Sequence, residues 1–243
     1  MSTAVRFLSF LLAAVMAALC AAGVGVRENG DIASGIELPN EPSASAPEIE
    51  EESPETLVPQ DFNQNGIDDI ADILQGAKKD ARNRPTYNSA YYVGGYPPEN
   101  IGVCTDVVWR AFREAGYSLR DMVHTDIVAN TWQYPAVSTP DNNIDFRRVR
   151  NLCVFFRKYA HSLTCDINET EQWQAGDIVI FGDNLHIGIV SDIRNAKGQP
   201  YIIHNSGQKN REEDYLSYAR RPVTAHFRFD PTILPENLKI PFN

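Results

Sequence analysis

Gly102-Val103-Cys104-Thr105-Asp106-Val107-Val108-Trp109 runs from a loop into an apolar stretch with helical spacing. Val107, Val108, Ala111, Phe112 and Ala115 recur on one face, and Gly116 is a stop signal. The spacing therefore places a cysteine at a helix start. Backbone N–H groups point out of a helix N-terminus and are expected to lower the thiol pKa and to donate to an oxyanion. Much further along come Gly176-Asp177-Ile178-Val179-Ile180-Phe181, Leu185-His186-Ile187-Gly188-Ile189-Val190 and Tyr201-Ile202-Ile203-His204-Asn205-Ser206. Their β-branched content predicts strands over 177–182, 185–193 and 200–205, with Asn195-Ala196-Lys197-Gly198 as the last turn. A final strand is expected over 223–229.

Alternation along 185–192 puts His186, Gly188 and Val190 on one strand face, where the helix opened by Cys104 is expected to dock. His204, on the next strand, can then bond the far nitrogen of His186 and fix its tautomer. Helices first and strands later predict an α+β fold: a Cys-bearing helix on a small antiparallel sheet. Further helices are expected over 70–83, from Ile70, Ile73, Leu74, Ala77 and Ala81, and over 146–161; residues 121–145 read as irregular.

Charge and composition divide the rest of the chain. Residues 7–26 are almost all apolar and follow Arg6, which reads as a secretory signal or a membrane anchor over 1–26. Residues 27–60 hold nine acids against Arg27 alone, with many Pro, Ser and Ala, the composition of a solvated linker. The net charge of −10 arises mostly there. The remainder is nearly balanced and has no basic field for nucleic acid. The expected organisation is then a loop and helix over 61–83, a domain holding Cys104 and both strand histidines over 84–230 and a tail over 231–243. Oligomeric state is not legible.

Asp61-Phe62-Asn63-Gln64-Asn65-Gly66-Ile67-Asp68-Asp69-Ile70-Ala71-Asp72 has the spacing of a calcium loop. Its oxygen ligands would be Asp61, Asn63, Asn65, Asp69, Asp72 and the Ile67 carbonyl, in a structural role. The other reading is an Asn-Gly turn followed by an Asp helix cap. No cofactor is expected for catalysis. Cys153 and Cys165 are candidates for a disulfide across a short loop, or for two reduced thiols.

The motifs resemble those of the NlpC-type cell-wall cysteine peptidases, a papain-like fold. The resemblance lies in Tyr91-Tyr92-Val93-Gly94-Gly95, Cys104, Gly176-Asp177, His186-Ile187-Gly188-Ile189 and Ile203-His204-Asn205-Ser206. The chain is more closely similar to a bacterial branch catalogued as domain of unknown function 1287. That similarity rests on residues 102–108, His124-Thr125-Asp126, residues 142–149 and Ile203-His204-Asn205. It implies Cys104 as nucleophile, His186 as base and His204 as orienting residue, with Asn205 the alternative third member. Tyr91, Asp106, His124 and Asp126 are candidates for substrate binding or catalysis. The branch departs from the peptidases beside the thiol, where Thr105-Asp106 replaces their Ser-Gly.

The implied activity is that of an exported thiol hydrolase in the periplasm or envelope, cleaving a peptide or amide bond of peptidoglycan. The rivals are a thioesterase or acyltransferase, which would need a long apolar groove, and a non-catalytic calcium-dependent binding module.

Overall fold

The computed structural model describes residues 59–243, which lie within one compact unit, Glu51–Asn243. The signal or anchor segment and nearly all of the acidic linker fall outside the described residues. Among those described, no helix is long and apolar enough to cross a membrane.

Four helices precede or flank the sheet: α1 (Asp69–Asn83), α2 (Cys104–Glu114), α3 (Leu119–Ala129) and α4 (Val149–Tyr159). The strands are β1 (Thr86–Tyr87), β2 (Ile101–Gly102), β3 (Ala160–Ser162), β4 (Ile178–Phe181), β5 (His186–Arg194), β6 (Pro200–Ile203), β7 (Glu212–Glu213) and β8 (Val223–Phe229). β1 and β2 form a short parallel pair. The other six make one antiparallel sheet in the order β3-β8-β4-β5-β6-β7. The chain is thus α+β.

The sheet buries both faces. Ile178, Ile180, Ile187, Ile189, Ile203 and Phe227 pack into the main core with Val107, Val108, Ala111 and Phe112 of α2. Val179, Phe181, Val190 and Ile202 face the other way, against Trp173 and Leu216. Strand alternation explains the division. The α2 helix accordingly docks on the Ile187/Ile189 face, not on the His186/Gly188 face that was expected to receive it.

Two elements differ from the sequence reading. Residues 119–129 form α3, driven by Leu119, Met122, Val123 and Ile127 at helical spacing, all buried. The expected helix over 146–161 is shorter: a 3-10 turn at Asp145–Arg147 precedes α4, and His161 lies in β3 and bonds Asp230 Oδ2 at 2.8 Å. The 61–83 segment and the tail join the same core. At Gly76, a Cβ would meet the Ala111 Cα and the Glu114 Cβ at 2.8 Å, so α1 approaches α2 more closely than alanine would allow. From the tail, Phe242 N–H donates to the Gly116 carbonyl at 2.8 Å.

The 61–72 loop takes the turn-and-cap geometry. Gly66 has φ 86°, and the Asp68 carboxylate accepts the Ile70 and Ala71 N–H groups as N-cap. Asp69 is buried and spent on Phe62 N–H at 2.8 Å and the Tyr117 hydroxyl at 2.7 Å. Asp72 accepts the amides of Asn63 and Asn65, while Asp61 accepts the N–H groups of Asn65 and Gly66. Ile67 N–H donates to Asn65 Oδ1. Among the described residues, no three His, Cys, Asp or Glu side chains gather as a metal-binding group.

Candidate functional site

The thiol sits where an extended residue meets a helix. Val103 is extended and Cys104 is the first residue of α2. The local lock is Asp106: its Oδ2 accepts Val103 N–H at 2.7 Å and its Oδ1 accepts the Trp109 indole at 2.8 Å. Arg147 closes on the same carboxylate with two bonds, Nε to Oδ1 at 2.8 Å and a terminal nitrogen to Oδ2 at 2.9 Å. Both partners are buried, so Asp106 holds the start of α2 and has no capacity left for substrate.

Cys104 is 8% exposed. The backbone N–H groups of Ile187, Thr105 and Cys104 itself face the thiol and favour its ionised form. Ile187 is the strand residue next to His186. Burial outweighs these donors and pushes the thiol up to about 11. The helix terminus acts in the expected direction, but desolvation wins.

His186 opens β5 after a turn in which Gly182, Asp183 and Asn184 all have positive φ, between 52° and 65°. His204 follows the last residue of β6. His186 Nε2 lies 2.8 Å from His204 Nδ1, with the rings edge to face. Glu213 Oε1, on β7, stands 3.2 Å from His204 Nε2 without a formed hydrogen bond, and acts there as a charge. A carboxylate beside Nε2 favours the tautomer protonated at that nitrogen. His204 Nδ1 is then bare and accepts the His186 Nε2 proton, which leaves His186 Nδ1 bare as a base. Burial lowers His186 to about 4 and His204 to about 3, so both rings are neutral at neutral pH. Tyr215 lies against both rings, at 4.3 Å from His204 and 5.7 Å from His186.

A cleft of about 560 Å³ opens over the sulfur, between Tyr87, Ser89, Ser138, Arg148, Asn184 and Leu185. That is the size of a small-ligand site. Beside the thiol, the bonded imidazole pair and the cleft stand three comparisons with known proteins. The family model described as domain of unknown function DUF1287 matches residues 74–229. The chain belongs to the DUF1287 family. It is 39% identical over 167 residues to a protein of Escherichia coli (strain K12) named "Uncharacterized protein YijF", covering 65% of this chain and 80% of that one. No solved structure matches the chain.

Other candidate residues of this DUF1287 chain fall in other places. Asn205 is buried and donates to the carbonyls of Pro85 at 3.2 Å and Gly102 at 3.1 Å. It ties the strand end behind His204 to the segment before Cys104, and its amide is committed to those carbonyls. Tyr91 is half exposed and bonded to Asp141 and Asn143; Tyr87 lines the cleft in its stead. Asp126 is saturated by Lys158, Tyr134, Tyr159 and Asn130. His124 lies on α3 with Nδ1 buried and unbonded, and neither residue lines the cleft.

Gly188 leaves no space for a substrate. A Cβ there would meet Ile202 Cγ2 at 2.6 Å and the Ile203 carbonyl at 2.9 Å, so the room is taken by β6. Cys153 and Cys165 are free thiols, not a disulfide: Cys153 is packed in the main core while Cys165 is exposed. Glu213 and Tyr215 carry no sequence signal, since they sit on a two-residue strand and a 3-10 turn; Arg147 and Arg148 fall in the 142–149 stretch, which does not by itself place them at the cleft.

Proposed function

We propose that this chain is an exported cysteine hydrolase of papain-like type that cleaves a peptide or amide bond, with peptidoglycan as the substrate. The observation that carries this reading is the contact line from Cys104, through the Ile187 N–H beside it, to the bonded pair His186–His204.

The chemistry starts from a neutral pair. The Cys104 sulfur attacks the scissile carbonyl while its proton passes to His186 Nδ1. The first-turn N–H groups of α2 hold the developing oxyanion. Imidazolium then gives its proton to the leaving amine as the C–N bond breaks, leaving a thioester. Water, deprotonated by His186, releases the acid and restores the thiol. The Cys104 cleft mixes apolar residues such as Val103, Val149 and Leu185 with Ser89, Ser138 and Arg148, and the arginines and serines favour a polar chain over the long acyl chain of a thioesterase.

The test is mass spectrometry of purified peptidoglycan after incubation with the full chain. New fragments made by the unaltered protein, and absent with Cys104→Ser and with His186→Ala, are expected. Fragments that persist with Cys104→Ser would remove Cys104 as nucleophile.

A further inference from the structure

We infer that the groove at Cys104 is built for a substrate segment carrying a carboxylate, read by Arg148 and Arg150. This rests on the hydrolase reading above and names the chemical class of its substrate.

No acid lines the cleft over the thiol. Three arginines do, in consecutive or alternate positions: Arg147, Arg148 and Arg150. Their roles separate on their partners. Arg147 is buried and neutralised by Asp106 through two bonds. Arg148 is exposed, spends one terminal nitrogen on Asp145 at 3.1 Å and keeps the rest of its fork free. Arg150 is exposed and, among the described residues, has no hydrogen bond, ion pair or ring partner.

The groove continues. A second cleft of about 410 Å³ shares Ala136, Arg150 and Asn184 with the first and adds Arg157, with Asp183 its single acid. Arg150 and Arg157 are seven residues apart on α4, two helical turns along one face. An unpaired guanidinium at the mouth of a cleft matches a carboxylate through its planar fork. A run of such groups with one opposing acid favours an anionic chain lying along it over an isolated anion. Ser89, Ser138 and Asn184, also in the lining, supply hydrogen bonds suited to a peptide, beside apolar Val103, Ala136, Val149 and Leu185.

The test compares two alkylating reagents that differ in charge alone, iodoacetate and iodoacetamide, on the full chain in mildly alkaline buffer. In each, the Cys104 sulfur forms an S–C bond as iodide leaves, and peptide mass spectrometry reads the rate at Cys104. The ratio of the two rates cancels the ionisation of the thiol. The iodoacetate-to-iodoacetamide ratio is expected to be about tenfold higher in the unaltered chain than in Arg148→Ala/Arg150→Ala, to fall with added salt, and to fall below the double variant in Arg150→Glu. Labelling by both reagents with one ratio across all variants would overturn the carboxylate inference and leave the hydrolase reading standing. Peptidoglycan fragments that persist with Cys104→Ser would overturn the hydrolase reading and this inference with it.

Discussion

At Cys104 two effects of opposite sign meet in one side chain. N–H donors from Ile187 and the first turn of α2 favour a thiolate, while burial disfavours it and prevails, leaving the thiol near 11. The same burial depresses His186 to about 4. Both shifts favour the neutral pair over the thiolate–imidazolium pair. The base is therefore competent over a wide range: the acid limb of kcat/KM is expected near pH 4, where His186 protonates, and not near 6.5. Glu213 is the residue through which the tautomer chain is biased. Glu213→Gln should lower kcat by about a hundredfold with KM little changed, because a misplaced imidazole proton costs a base of this kind at least that much. Unchanged kcat would show that the two histidines hold their tautomers without the carboxylate.

At the scale of elements, the start of α2 depends on one buried ion pair. Arg147 and Asp106 are 1% and 0% exposed, and Asp106 also takes Val103 N–H and the Trp109 indole. Removing the guanidinium leaves a buried carboxylate short of two donors. Arg147→Met should destabilise the chain by about 3–5 kcal/mol, read as a shift in the urea midpoint. The β5–β6 pair has a similar dependence at Gly188, where an added methyl meets Ile202 and the Ile203 carbonyl. Gly188→Ala is expected to cost about 1–3 kcal/mol by overpacking. In the 61–72 loop the carboxylates are committed to Tyr117, backbone N–H groups and asparagine amides. Equal melting temperatures in calcium and in chelator are therefore expected. A rise with calcium that Asp61→Ala abolishes would make the segment a metal loop instead.

Over the whole molecule, His186 and His204 link folding to pH. Unfolded, each takes up a proton near 6.5; folded, they do so only at about 4 and about 3. Between these limits the unfolded chain binds more protons, so stability is full above 6.5 and falls as pH drops towards 3. The upper part of that loss should diminish in His204→Asn, followed by thermal melting across pH.

The parts of this fold that could be read from the chain are those with local periodicity. β4, β5, β6 and β8 were legible as β-branched runs, and α1 and α2 as apolar faces at helical spacing. Cys104, His186 and His204 were legible because each opens or ends such a run. α3 is masked by the polar residues around its four buried apolar positions. Asp106 looked like a pocket residue until Arg147, forty-one positions away, was found on it. Glu213, Tyr215, Arg148 and Arg150 acquire meaning only from neighbours distant in sequence, and no spacing rule reaches them.

The depth at which Cys104 is held also bears on how long the molecule lasts. Oxidation to sulfenic acid, and beyond it to forms that do not revert, begins from an ionised and accessible sulfur. A side chain that keeps its proton and is 8% exposed offers peroxide little of either. Among the described residues, the exposed Cys165 is the first thiol to meet an oxidant, and it lines neither cleft. Damage of that kind is directed to Cys165, and the buried Cys104 thiol is kept in its reduced form.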